Sequence, residues 1–337
     1  MNKKILSLLQ YVFFLGLGIF LVWWSLGSIS DEQWPMIKQS LRNANYWYLI
    51  PVVLALLASH FSRAIRWKIL MEPLGYKPRL SNTYMAVLIG YLANLAVPRL
   101  GEILKCTILA RYEKVPADKL VGTIVAERAF DMICLLILMV VTIITQTGLI
   151  GDFIYNLAAE NVGSKARGLS VTKIVIAVGI LIALVGLMVY VFKKFAHVSF
   201  IGKIRKIIGG VWQGLTSVRF VKNKGWFIFH SVFIWSMYLA SVQIGMWALQ
   251  ETEGFGIKAA MSVLFTGSIA MILTPSGIGA YPELVMRTML LYGLDEAYGK
   301  AFGWVLWTVQ FFQILIFGLI ALVLLPYLNK KKEYAQA

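Results

Sequence analysis

Repeated long apolar runs limit this chain more than any other feature. Six segments, at about 6–27, 46–69, 119–145, 171–192, 226–249 and 300–325, are each long enough to cross a hydrocarbon core of roughly 30 Å as a helix. Of the 337 residues, 59% are hydrophobic and 14% charged, whereas a soluble domain carries about 25% charged residues. No water-soluble fold of this size hides that much apolar surface, so the bilayer is the solvent for most of the chain. The pattern predicts an all-α polytopic membrane protein and excludes a soluble enzyme or binding module.

Two further apolar segments, 81–110 and 258–292, are interrupted. The breaks are Val97-Pro98-Arg99-Leu100-Gly101 and Thr274-Pro275-Ser276-Gly277-Ile278-Gly279-Ala280. Proline removes a helix hydrogen bond and glycine frees the backbone, so each segment reads as two short helices joined by an irregular turn. Such a re-entrant hairpin is tolerated in lipid where protein or a water-filled cavity surrounds the exposed backbone. Full crossings by the same segments would leave the termini on the same sides and stay open, although half-segments such as Glu102 to Ala110 are short for it.

The formal charge of +16 sits in the loops and acts as a topology signal, so no nucleic-acid partner is expected. With the N-terminus cytoplasmic, 21 lysines and arginines fall inside, in 1–4, 63–80, 111–119, 193–225 and 329–337, against seven outside. Both termini are then cytoplasmic, and a bacterial inner membrane is the expected location. Tyr46-Trp47-Tyr48 and Trp23-Trp24 mark the interfaces. Segment 198–222 carries Ile201, Ile204, Ile208, Val211, Leu215 and Val218 on one stripe with Lys203 and Lys206 off it. It reads as a basic amphipathic helix, lying either on the membrane surface or under the bundle. Cys106 and Cys134 read as small buried hydrophobes, and the scattered His60, His197 and His230 predict no metal or cofactor.

Ser81–Pro98 aligns with Lys258–Pro275, matching Gly90 to Gly267; beyond the breaks Glu102 matches Glu283, Lys119 matches Lys300 and Gly122 matches Gly303. The expected division is a first repeat at 1–150 (two spans, the hairpin 81–110, one span) and a second at 151–329 (two spans with helix 198–222 between them, the hairpin 258–292, one span). A cytoplasmic tail, 330–337, follows. Three spans separate the hairpins, so the second copy enters from the opposite side. An inverted-topology repeat with interrupted helices at matching places points to a transport site near its axis. Two unrelated breaks are the plainer alternative, since the identities are few.

Eight charged residues remain at membrane depth: Arg99, Glu102, Lys105, Glu127, Arg128, Asp131, Glu283 and Arg287. Each costs about 2.5–3.5 kcal/mol on insertion scales, so they are expected to face the interior and to cluster. Glu127/Asp131 and Glu283/Arg287 stand at i, i+4, and Glu102/Lys105 at i, i+3, the spacings of helical neighbours. They form either an architectural set of pairs or a site in which Arg99 and the restarting half-helices bind a lipid phosphate. On the last span Gly303, Trp307, Gln310 and Phe317 share a face with Gln313 beside them, and the glutamines are expected to bond between helices.

At these residues the chain resembles a known family. Arg63-x-x-Arg66-Trp67, Gly90-x-x-x-Asn94-x-x-x-Pro98-Arg99-x-Gly101-Glu102, Glu127-Arg128-x-x-Asp131 and Pro275-Ser276-Gly277-Ile278-Gly279 look like the lysylphosphatidylglycerol synthase transmembrane, or flippase-like, family. The resemblance covers about residues 46–325, with Lys105, Ser276 and Ala280 departing from the pattern. It implies a flippase or transporter moving a lipid between leaflets, without the synthase domain of bifunctional members. The implied partner is an anionic or aminoacylated phospholipid or a polyprenyl-linked lipid, with an oligomer possible. The expected substrate-binding residues are Arg99, Glu102, Glu127, Arg128, Asp131, Ser276, Gly277, Gly279, Glu283 and Arg287. A membrane-embedded transferase or hydrolase using Glu102, Glu127, Asp131 or Glu283 as acid or base is the alternative, and a non-catalytic recruiting partner is a third. The topology is checked with single cysteines and an impermeant thiol reagent on intact cells: position 160 is expected to label and position 203 to stay unlabelled.

Overall fold

A computed structural model describes residues 29–97, 99–148 and 221–333, together with Phe20, Trp23 and Gly27. The expected span 171–192 lies outside the described residues. So do the span 6–27, apart from those three residues, and the amphipathic segment 198–222, apart from Val221 and Lys222. Among the described residues the chain forms nine α-helices: α1 (Gln33–Asn43), α2 (Leu49–Met71), α3 (Leu80–Ala96), α4 (Leu100–Glu113), α5 (Ala117–Thr145), α6 (Lys224–Met246), α7 (Ile257–Leu273), α8 (Ala280–Leu290) and α9 (Glu296–Glu333).

Four stretches are long and apolar enough to cross a membrane: Tyr46–Leu74, Lys119–Thr145, Lys224–Met246 and Glu296–Lys330. They coincide with four of the six expected spans, and the protein is an all-α polytopic membrane protein. Their outward faces are apolar, as lipid requires: Ile137, Val140 and Ile144 on α5 and Leu319, Ile320 and Val323 on α9 are all exposed. Trp47 and Tyr46, exposed at the start of α2, supply aromatic side chains where a headgroup layer would lie.

The interrupted segments fold into antiparallel helical pairs. Across α3 and α4, the Gly101 N–H donates to Asn94 Oδ1 (2.7 Å), Gly90 faces Lys105, and Asn82 donates to Glu113, so the pairing nests outward from the turn. Across α7 and α8, Gly267 lies against Tyr281, Thr288 donates to Thr266 (2.8 Å), and Ser262 shares a hydrogen bond with Tyr292 (2.8 Å). Helices α3 and α7 have equal lengths of 17 residues. Each turn restarts its chain with a left-handed backbone: Arg99 (φ 65°) before α4, and Ser276, Gly277 and Gly279 (φ 52°, 71° and 70°) before α8. A side chain on Gly277 would also strike Met271 Sδ at 2.8 Å, so that glycine is required twice over.

Each hairpin is held between the span before it and the span after it. Trp67 of α2, Val87 of α3, Leu109 of α4 and Leu120 of α5 share one apolar cluster; Met246 of α6, Val263 of α7, Val285 of α8 and Phe302 of α9 share another. Hydrogen bonds fix the ends. Gln146, just past α5, donates to the Lys258 carbonyl at the start of α7 (3.0 Å), while Asn82 of α3 meets Asn329 of α9 (2.9 and 3.1 Å). Helix α5 thus leads from the open end of the first hairpin to the open end of the second, and α9 returns. The two turns meet between those ends, where Ser276 Oγ donates to the Asn94 carbonyl (3.1 Å) and Trp307 Nε1 to the Ser276 carbonyl (3.0 Å).

Three charges assigned to loops by sequence are buried in helices. Arg63 and Arg66 are 5% and 0% exposed, because α2 continues to Met71, and Lys300 is 1% exposed within α9 beside Glu296 (2.8 Å). The imbalance of basic residues between the two sides persists without them. Gly122 and Gly303, matched by sequence, have different surroundings. A Cβ on Gly303 would stand 2.7 Å from the Pro282 carbonyl oxygen, whereas one on Gly122 meets nothing within 4 Å. Gly303→Ala is therefore expected to cost about 1–3 kcal/mol by overpacking, and Gly122→Ala to be neutral or stabilising by up to about 1 kcal/mol. Thermal unfolding of both variants in detergent checks this.

Candidate functional site

Helical spacing creates the centre of the site. Arg63 and Arg66, three apart on α2, face Glu127 and Asp131, four apart on α5. Arg63 Nη1 reaches Glu127 Oε1 at 2.8 Å and Asp131 Oδ2 at 2.6 Å; Arg66 Nη2 reaches Asp131 Oδ1 at 2.6 Å. The second Glu127 oxygen takes Lys105 Nζ of α4 at 2.8 Å, and that ammonium lies 4.6 Å from the centre of the Trp67 ring. Helix α6 joins through Tyr238 and Ser231, which accept from Arg63 (3.2 Å) and Arg66 (3.2 Å). Glu127 is fully buried and Lys105 is 5% exposed. At this depth carboxylates and cations are tolerated only as partners, and removing one of such a set typically costs about 3–5 kcal/mol.

A second layer faces an opening. Arg128, the residue after Glu127 on α5, turns to α4 and donates to Glu102 Oε1 at 2.7 Å, with side chains 46% and 23% exposed. Arg63, Tyr91, Asn94, Glu102, Lys105 and Arg128 surround a narrow cleft floored by Gly90 and Gly101. Those two glycines let the backbones of α3 and α4 touch, since a Cβ on Gly101 would fall 2.0 Å from the Gly90 carbonyl oxygen. The space within it is about 10 Å³, close to the minimum for one water molecule. Glu102 Oε2 points into protein without a hydrogen-bond partner.

Cluster and cleft together hold four cations, Arg63, Arg66, Lys105 and Arg128, against the carboxylates Glu102, Glu127 and Asp131. One positive charge is left unbalanced, and with several N–H donors at hand the arrangement suits an oxyanion. Among the described residues no group of three His, Cys, Asp or Glu side chains could hold a metal ion.

The expected site residues divide in space. Glu102, Glu127, Arg128 and Asp131 come together, but Glu102 pairs with Arg128 rather than with its helical neighbour Lys105, which Glu127 takes instead. Glu283 and Arg287 form the expected i, i+4 pair (2.7 Å) on α8, with no ion pair to the cluster among the described residues. Arg99 is exposed at the first turn and makes no ion pair among the described residues. Nor is the half-helix start beside it open: Asn94 occupies one of its free N–H groups. Ser276 bonds the first turn, while Gly277 and Gly279 supply backbone conformation. Sequence reasoning left out Arg63 and Arg66, although two arginines at i, i+3 near the end of an apolar run already asked for buried carboxylates. It also left out Tyr91, which nothing in its local sequence marks.

No solved structure matches the chain. Among curated proteins it is similar to the UPF0104 membrane protein MJ1595 of Methanocaldococcus jannaschii, with 25% identity over 313 residues, 88% of this chain and 90% of that protein. The lysylphosphatidylglycerol synthase TM region model matches residues 8–318, nearly the whole polytopic bundle around the buried charges, and the chain belongs to that family.

Proposed function

We propose that this chain is a lipid transporter or flippase that moves a phospholipid or lipid-linked substrate between leaflets, with the headgroup phosphate held in the cleft between α3, α4 and α5. The observation that carries this reading is the charge-bearing cleft itself: an oxyanion-suited opening between membrane helices, lined by Arg63, Glu102, Lys105 and Arg128. Membership of a lipid-handling transmembrane family supports it. In this reading Glu127 and Asp131 hold the cations in place, and Arg99 at the turn meets the arriving headgroup. Glu283 and Arg287 do the corresponding work in the second half. With about 10 Å³ of space the cleft is closed, and the partly exposed Arg128–Glu102 pair is the contact that opens to admit a headgroup.

The architecture we assign to this activity is an inverted-topology repeat, 1–150 and 151–329, whose hairpins are re-entrant and whose termini are cytoplasmic. Supporting it are the equal lengths of α3 and α7, the meeting of the turns at Ser276 and Asn94, and the opposite placement of the hairpins' open ends along α5 and α9. Interrupted helices converging in this way are how secondary transporters build a midplane site. The alternative of a membrane-embedded transferase or hydrolase requires an available acid or base, whereas Glu127 is engaged by three cations and Asp131 by two.

Two classes of variant separate binding from architecture. Arg128→Gln breaks a partly exposed pair, so stability is expected to fall by less than the roughly 3–5 kcal/mol of a buried one while lipid redistribution in proteoliposomes falls at least tenfold. Glu127→Gln and Arg66→Gln are expected to lower stability by about 3–5 kcal/mol. Unfolding and redistribution of a labelled lipid are measured on the same preparations. An Arg128→Gln protein that transports like the parent, or a parent that changes the lipid's mass rather than its leaflet, overturns the reading.

A further inference from the structure

Polar groups that the cleft does not use lie directly behind it. His60 stands one turn before Arg63 on α2 and is 4% exposed. Its ring packs on that of Tyr91, a wall of the cleft, with centroids 4.5 Å apart. Neither ring nitrogen has a hydrogen-bond partner. From α9, Gln313, 3% exposed, brings its amide oxygen toward the His60 ring, and its Nε2 is left unpartnered. Gln310, on the same helix, behaves as interhelical glue and donates to the Tyr281 hydroxyl at 3.1 Å. Gln313 does not.

Imidazole carries one donor and one acceptor when neutral, and a primary amide carries two donors and an acceptor. Leaving such groups dry and unpaired between membrane helices is costly, and each case calls for a guest that supplies the missing bonds. The guest's chemistry follows from the surroundings. The charged side chain acting on His60 is Arg63, which repels a cation, and among the described residues no carboxylate pairs with His60 or Gln313. A hydroxyl both donates and accepts without charge, which suits nitrogens whose one charged neighbour is a cation, and the Tyr91 ring offers an apolar face to the carbon that bears it.

We propose that His60 and Gln313 form an uncharged polar subsite, reached past Tyr91, that binds the hydroxyl groups of a phosphate-bearing headgroup. The proposal rests on the cleft reading above and gives it selectivity: a phosphate ester of a polyol is preferred to one carrying an alkyl group.

The test uses the full chain in detergent and two soluble probes of equal charge and carbon count, glycerol 3-phosphate and propyl phosphate. Isothermal titration is expected to show the polyol ester binding about tenfold more tightly, the gain of roughly two satisfied hydrogen bonds. In His60→Phe, which keeps a ring against Tyr91, and in Gln313→Leu, the ratio is expected to fall to about one, with the affinity for propyl phosphate retained. Equal affinities in the parent, or a preference that survives both variants, overturn the subsite and leave His60 and Gln313 to bound water. Failure of both esters to bind overturns the cleft reading instead, and the subsite with it.

Discussion

Two arginines and two carboxylates facing each other inside an apolar bundle determine where everything else in this protein sits. In a medium that cannot solvate them, Arg63, Arg66, Glu127 and Asp131 are tolerated only as a set. Their spacing of three on α2 and four on α5 fixes the register of those helices at distances of 2.6–2.8 Å. Lys105 ties α4 to Glu127, and Tyr238 and Ser231 tie α6 to the same arginines. The cleft lies at the edge of this network because α4, pulled in by Lys105, carries Glu102 on its first turn to Arg128.

Where charges do not set the geometry, missing side chains do. Helices α3 and α4 touch at Gly90 and Gly101, α8 and α9 at Pro282 and Gly303, and α9 and α3 at Gly318 and Leu92. The first hairpin is closed by backbone contact and the second by Gly267 against the Tyr281 ring, whereas the Arg128–Glu102 pair across the cleft is partly exposed. Rigid walls and one weak closure are what a gated site requires. The orphaned nitrogens of His60 and Gln313 lie beside one of these contacts, with the His60 ring packed on Tyr91 of α3.

Much of this was legible in the sequence because membrane physics is written in long, simple signals. The four described spans and the two breaks follow from apolar length and from Pro and Gly positions, and Cys106 is the buried hydrophobe it was expected to be. The partners of the charges were not legible. Glu102 and Lys105 are helical neighbours, but α5 offers each of them a better-placed opposite charge, and tertiary pairing overrides local spacing. Arg63 and Arg66 looked like loop cations because helix ends are poorly marked, and α2 runs past them to Met71 before Glu72-Pro73 and the left-handed Gly75 stop it. The matched glycines 122 and 303 show the same limit, since one is open and the other pressed against Pro282.

The central claim is that a lipid headgroup occupies the cleft beside the buried charge network. Photocrosslinking tests it most directly, with a phospholipid carrying a diazirine on its headgroup, reconstituted with the parent protein and mapped by peptide mass spectrometry. The account predicts adducts on α3 around Tyr91 and Asn94 and on the first turns of α4, reduced when Arg128 is replaced by glutamine. Adducts confined to the outward faces of α5 and α9, unchanged by that substitution, would contradict it.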